Sequence, residues 1–192
     1  GVWNITKREK AKLLNLGTAS AILTFARTAR GIGLPLWALH IHLDVSQASL
    51  IIGLAGALDF ALFYLGGKVI DTKGRTWAAV PTLVATGIGL MLIGISNDAI
   101  SFLLVAVILA IANSVGAGLV MVIGADLAPA DARNEFLAAF RLILDGGVAL
   151  AAPTIALTTV LVGLSGGLVI IGGITVFGGW MMYRYLPKHG IK

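Results

Sequence analysis

The sequence predicts an all-α membrane protein with six transmembrane helices. Of its 192 residues, 58% are hydrophobic and only 12% are charged, which leaves too little polar surface to cover a soluble domain. A spanning helix needs about 20 mostly apolar residues, and the chain contains six such runs. They comprise residues 13–39, 48–65, 77–95, 100–125, 136–157 and 164–185. We therefore expect residues 1–192 to form a single six-helix transmembrane bundle.

Short connectors with turn or cap residues separate the six predicted spans. Asp44-Val45-Ser46 follows the first span, a charged loop from Gly67 to Arg75 follows the second, and Ser96-Asn97-Asp98 follows the third. The stretch from Asp126 to Arg133 joins the fourth span to the fifth, and Val162-Gly163 joins the fifth to the sixth. Because these connectors are short, consecutive helices must be antiparallel neighbours.

The basic residues predict the orientation of the bundle. Apart from Arg27, Arg30 and Arg141, they precede the first span, follow the second or fourth, or lie at or beyond the end of the sixth: Lys7, Arg8, Lys10, Lys12, Lys68, Lys73, Arg75, Arg133, Arg184, Lys188 and Lys192. The positive-inside rule therefore places both termini in the cytoplasm. Membrane anchoring also accounts for the net charge of +5, so we expect no nucleic-acid partner.

No pattern in the connectors indicates catalysis or metal binding. The chain has no cysteine, and no connector carries a phosphate-binding loop or a Ser, His and Asp constellation. His40 and His42 are two residues apart and point away from each other on a helix, so they do not form a metal site. We expect no enzyme activity, no cofactor and no metal.

The segment after the second span carries the clearest motif. The order and spacing of Gly67, Asp71, Gly74 and Arg75 resemble the loop between the second and third helices of each half of major facilitator superfamily transporters. Two threonines stand where that pattern has basic residues. The resemblance implies that a set of residues latches the outward-facing state at the cytoplasmic face: Gly67, Asp71, Gly74, Arg75, Asp126 and Arg133. Alternatively, these residues only mark the membrane edge.

Two further segments extend the resemblance over the whole chain. Asp126 to Arg133 looks like the acidic, proline-bearing turn after the fourth helix of a half. Arg141-x-x-x-Asp145-Gly146-Gly147 is similar to the fifth-helix pattern of proton-coupled exporters, although Ala151-Ala152-Pro153 stands where that pattern has Gly-Pro. Six helices with both ends inside correspond to half of a twelve-helix transporter. The basic lead from Lys7 to Lys12 favours the C-terminal half, helices seven to twelve.

Charged residues inside the spans are the candidates for a transport site. Such a residue near the bilayer centre costs about 2.5 to 3.5 kcal/mol on insertion scales, so it needs a partner or water. Asp59 lies in the middle of the second span, whereas Arg27 and Arg30 share a face of the first. We expect Asp59 to pair alternately with Arg27 or Arg30 and to take up a proton or cation; the alternative is a static ion pair. Arg141 and Asp145 can pair within the fifth span, with Asp145 as the deeper candidate.

The sequence thus favours a secondary active transporter that moves a small solute by alternating access, with proton coupling and drug or metabolite efflux by antiport as the expected mode. We expect it in a bacterial inner membrane. Because the chain opens at Gly1 without an initiator Met, we expect a missing N-terminal half, or a second copy, to complete the cavity. A scaffold or assembly subunit and an oligomeric pore remain the alternatives.

Overall fold

The computed structural model describes residues 1–192, and all of its regular structure is helical. A short helix α1 (Val2–Arg8) and one turn α2 (Lys10–Lys12) lead through a π-helical turn, Leu13–Gly17, into α3. The remaining helices are α3 (Thr18–His40), α4 (Val45–Lys73), α5 (Arg75–Ile93), α6 (Ala99–Gly116), α7 (Leu119–Leu127) and α8 (Arg133–Tyr185). Short 3-10 turns lie at Ala130–Ala132 and Pro187–His189.

Helix α8 is a hairpin of two helical arms. Gly163 has φ 79° and ψ 167°, a left-handed conformation that glycine adopts without strain. Contacts with α3 show the directions of the two arms. On the first arm (133–162), later residues contact later residues of α3, as in Gly17 with Ile143 and Ala21 with Gly147. On the second arm (164–185) the order is reversed, as in Ile22 with Gly178 and Gly33 with Leu168. The two arms therefore run in opposite directions, and the predicted connector at Val162-Gly163 is confirmed.

Helices long and apolar enough to cross a membrane dominate the chain. Four helical stretches meet this description: Val45–Lys73, Arg75–Ile93, Ala99–Leu127 and Ala130–His189, the last of which contains the hairpin at Gly163. Helix α3, which carries two arginines, is outside this set. The all-α membrane class is thus confirmed, whereas six spans with cytoplasmic termini stay a prediction.

The predicted loop from Gly67 to Arg75 is wrong. Helix α4 continues through its charged end to Lys73, and only Gly74, with φ 92°, breaks the chain before α5 begins at Arg75. A polar stretch ends an apolar run, but no residue between Gly67 and Lys73 is a proline, so the backbone hydrogen bonds continue. Within the predicted fourth span, α6 ends at Gly116 and α7 starts at Leu119, but Ala117 and Gly118 keep right-handed helical dihedrals, so Ala99–Leu127 remains one apolar helical stretch.

The helices pack as two groups joined by α5. Helices α3 and α5 lie against α8, and α4 lies against α6, which in turn packs on α5. At what we call the basic end, one buried cluster joins α1, the start of α3 and the two chain ends; Ile5, Phe136 and Ile191 belong to it. A second cluster fills the opposite end around Phe102 and Ile171. Helix α4 is the least buried of the long helices.

Candidate functional site

Three polar side chains meet halfway along three helices. Asp59 is the central residue of the 29-residue helix α4, and its Oδ2 lies 3.3 Å from Nη1 of Arg30 on α3. The amide Nδ2 of Asn113 on α6 donates a hydrogen bond to the same carboxylate oxygen. Only 14% of the Arg30 side chain and 19% of the Asp59 side chain are exposed. Together with Arg27, these residues form what we call the mid-helix cluster.

A glycine contact holds α4 and α6 close enough for this cluster to form. A Cβ added at Gly66 would overlap the backbone carbonyl of Ser114, which follows Asn113 in the chain. Glycine therefore permits the backbone approach that packed membrane helices use. The neighbouring Gly67 faces open space, so the requirement is specific to position 66. The seam between α4 and α6 places the Asn113 amide against the Asp59 carboxylate.

Arg27 belongs to the cluster by position but lacks a partner. It lies three residues before Arg30 on α3, is partly buried, and makes no hydrogen bond or ion pair within the chain. The Oδ1 atom of Asn113 is buried and also has no hydrogen-bond partner. The cluster thus offers one free guanidinium and one free buried acceptor. Of the two arginines expected to pair with Asp59, the structure pairs Arg30.

Sequence reasoning missed Asn113. The signal was its amide side chain, which directly follows the apolar run 106–112. A polar residue in a predicted span is a site candidate even when it carries no charge, but attention to ionised groups alone passes over it.

Arg141 and Asp145 form a separate pair on the first arm of α8. Arg141 Nε lies 3.0 Å from Asp145 Oδ1, and their side chains are 63% and 55% exposed. The structure does not bring this pair together with the mid-helix cluster, since no hydrogen bond or ion pair joins them. The two groups satisfy each other along one helix face, as a spacing of four residues allows.

At the basic end, an ion pair joins the start of α5 to α7. Arg75 Nε lies 2.8 Å from Asp126 Oδ2, so the structure contains the contact that the sequence suggested. The Arg75 backbone N–H also donates a 2.7 Å hydrogen bond to the carbonyl oxygen of Lys192. With its positive φ, Gly74 turns the chain so that both bonds form.

The other predicted gate residues make no such contacts. Asp71 and Arg133 are exposed, and neither side chain forms a hydrogen bond or an ion pair. Gly67 lies within α4, with nothing within 4 Å of an added Cβ. The latch role of these residues stays a prediction.

A second pair at the basic end was not predicted. Arg8 donates two hydrogen bonds to Asp131, from Nη1 to Oδ2 at 2.7 Å and from Nη2 to Oδ1 at 2.9 Å. This bonding holds the pKa of Asp131 below its usual value. Next in sequence, Glu9 pairs with Lys12 at 2.9 Å, and this contact lowers the pKa of Glu9. No local pattern distinguishes Arg8 from the other leading basic residues, since its partner is 123 residues away.

A bundle of long apolar helices, with a shared charge cluster in its middle, defines an integral membrane protein of the transporter class. The sequence model of the Major Facilitator Superfamily matches residues 16–192. The chain therefore belongs to the Major Facilitator Superfamily, whose members are transporters rather than enzymes, and the family resemblance noted from the sequence is confirmed. Among curated proteins, the search found no significant match.

Proposed function

We propose that this chain is one half of a proton-coupled secondary transporter, which moves a small solute by alternating access. The observation that supports the proposal is the mid-helix cluster, in which Asp59 accepts bonds from both Arg30 and Asn113. A carboxylate in the middle of an apolar helix, in contact with an arginine on another helix, is the arrangement expected of a proton relay. Its partial exposure leaves a route for water and protons.

Protonation of Asp59 would change which helices are tied together. The ionised carboxylate links α3 to α4 through Arg30 and α4 to α6 through Asn113. A neutral carboxyl group binds a guanidinium more weakly, so loading the proton loosens α3 from α4. Because these two helices are joined at mid-length by this one ion pair, the change biases their relative position.

A second six-helix unit completes the transporter in this proposal. Much of α4 is exposed, including Phe60, Phe63 and Tyr64, and the exposed pair Arg141 and Asp145 lies within an apolar stretch of α8. Ionised groups at that depth require polar surroundings. We propose that these helices face the other half of the transporter, or a second copy, across a shared cavity, with this chain as the C-terminal half.

The ion pair between Arg75 and Asp126 would serve as a latch at the basic end. Both side chains are about one-third exposed, so the bond is weak and can open without a large penalty. It joins the start of α5 to α7, which are the elements that must separate if this end of the bundle opens.

Proton-coupled flux in proteoliposomes tests the proposal. Protein purified with any six-helix unit that accompanies it is reconstituted with a trapped pH-sensitive dye. Benzoate, benzamide and benzylamine are then presented under an imposed pH gradient. We expect at least one of these probes to move protons faster in the wild type than in protein-free liposomes, and none to exceed that passive rate in Asp59→Asn. Asp98→Asn is the matched control, because Asp98 caps α6 at the opposite end and asparagine also caps well.

Three outcomes would contradict the proposal. Coupled flux that persists in folded Asp59→Asn would remove the proton role. Passive conduction without coupling would indicate a pore, and silence with all three probes would indicate a scaffold whose ion pairs are only structural.

A further inference from the structure

The positive and negative charges along the middle of the long helices are unequal in number. Arg30 pairs with Asp59, and Arg141 pairs with Asp145. Arg27 alone has no counter-charge in contact, although it is partly buried on the face that carries Arg30. An arginine keeps its proton under all ordinary conditions, so this positive charge persists. The cluster therefore has a surplus of one positive charge.

The unpaired atoms define the chemistry of a ligand. The guanidinium of Arg27 presents a planar fork of donors that matches a carboxylate or a phosphate. Asn113 donates to Asp59 through Nδ2, while its Oδ1 is buried and lacks a donor, and a buried acceptor without a partner is unfavourable. An oxyanion that also carries a hydroxyl or amino donor would satisfy both groups.

On the premise of the transport function proposed above, we infer that the solute is a small oxyanion, bound by Arg27 and carried together with a proton on Asp59. The ionised Asp59 carboxylate occupies Arg30 and repels an incoming anion. Protonation of Asp59 releases Arg30, so that two guanidinium groups on one helix face become available. Proton and anion thus favour each other's binding, as reciprocal linkage requires.

The sense of coupling follows from the charge of the solute. A cationic solute would compete with the proton for Asp59, which is the basis of antiport. An anion competes instead with the Asp59 carboxylate for the arginines, which gives symport. The surplus positive charge at Arg27 favours symport, in contrast to the antiport that the fifth-helix pattern suggested.

No other titratable group from the packed helices reaches Asp59. Helix α6 contains none, and α5 contains only Arg75 at its start, where it binds Asp126. Besides Arg27 and Arg30, α3 carries only His40 at its far end. On α4 itself the nearest is Tyr64, whose ring is exposed. Asp59 is therefore the one acid that faces the arginines of the mid-helix cluster.

Binding in detergent tests the inference with three probes that share a benzene ring but differ in charge. We expect benzoate to bind the wild type, and neutral benzamide and cationic benzylamine not to bind. Asp59→Asn removes the carboxylate that occupies Arg30, so it should bind benzoate more tightly than the wild type does at neutral pH. Binding of benzamide or benzylamine in preference to benzoate would overturn the inference.

Two substitutions assign the anion to Arg27. Arg27→Gln should weaken benzoate binding about tenfold or more, which is the effect of losing one charge-assisted hydrogen bond. Arg27→Lys keeps the charge but not the planar fork of donors, so its affinity should lie between those of Arg27→Gln and the wild type, which separates loss of the site from loss of the fold. Arg184→Gln is the matched control, because Arg184 is exposed and unpaired near the basic end of α8. Equal affinity in Arg27→Gln and Arg184→Gln would contradict the assignment.

The same proteoliposomes separate failure of this inference from failure of transport. If only benzamide or benzylamine drives Asp59-dependent proton flux, the oxyanion is wrong and the transport function stands. If benzoate binds through Arg27 but no probe moves protons, the anion site stands and the transport function fails.

Discussion

The mid-helix cluster and the basic end use the same chemistry in different surroundings. Arg30 with Asp59, and Arg75 with Asp126, are both arginine–aspartate pairs that join two helices. The first pair lies in the middle of apolar helices and is mostly buried, whereas the second lies at a helix start and is about one-third exposed. Water and salt weaken the second pair but screen the first much less. Position along the helix, rather than residue type, therefore determines how strongly each of these arginine–aspartate pairs is held.

Arg141 and Asp145 combine features of both regions. They lie within the first arm of α8, yet their side chains are more exposed than those of Arg75 and Asp126 at the basic end. An exposed ion pair in an apolar helix is stable only against a polar surface or water. This pair therefore supports a partner unit on that side of the bundle, which the mid-helix cluster alone does not require.

Double-mutant cycles should separate the two regions most strongly. Asp59→Leu leaves Arg30 partly buried without a counter-charge, and we expect a loss of about 3 kcal/mol in the free energy of unfolding. Arg30→Met combined with Asp59→Leu should recover most of that loss, because an apolar pair replaces the ion pair. The measurement is reversible unfolding in detergent, with each variant compared at low and high salt.

The control cycle uses Arg75→Met and Asp126→Leu at the basic end. Its coupling energy should be below about 1 kcal/mol and should shrink with added salt. Equal coupling energies in the two cycles, or equal salt dependence, would show that the surroundings of the two pairs do not differ as proposed.

The glycine seam beneath the mid-helix cluster should give the next largest effect. Gly66→Ala places a methyl group against the backbone of Ser114, and we expect it to destabilise the fold by about 1 to 3 kcal/mol. The same change should move Asn113 away from Asp59 and thereby reduce proton coupling. Gly67→Ala is the matched control: it faces open space and should be neutral, or more stable by up to about 1 kcal/mol. Similar unfolding curves for the two variants would mean that the seam does not position the cluster.

Much of the helical layout could be predicted because local rules determine it. Asp44 and Asp98 cap α4 and α6 with bonds to Ser46 and Ser101, as their place between apolar runs suggested. Gly163 reverses α8 for a similar reason, since a turn between two long helices needs a residue that tolerates positive φ. The segment from Gly67 to Lys73 was predicted as a loop but is helical, because it contains no residue that ends a helix. Falling hydropathy marks a possible membrane edge, but it does not end a helix.

The contacts of the site were only partly predictable. An acid in the middle of α4 requires a partner, and the arginines of α3 were the available cations, so a link from Asp59 to Arg27 or Arg30 followed from charge. Packing decides that the partner is Arg30. The bond from Asn113 depends on the approach at Gly66, which is a property of packing between helices. No local pattern encodes such an approach. The pairing of Arg8 with Asp131 could not be predicted for the same reason, because it also depends on packing between distant segments.

The smallest effect is expected at the outermost pair, Arg8 with Asp131. Bonding to Arg8 lowers the pKa of Asp131 in the folded state, so the pair stabilises the fold above the pKa of the unfolded chain and loses this effect as the pH falls through the folded value. In Arg8→Gln, the pKa of Asp131 should return toward its ordinary value, which carboxylate NMR titration would measure. Arg133→Gln, two residues from Asp131, is the control and should leave that titration unchanged. If neither substitution changed the pKa of Asp131, Arg8 and Asp131 would not be paired in solution. In that case, α1 would be held at the basic end by apolar contacts such as those of Ile5, and only the mid-helix cluster would depend on an ion pair.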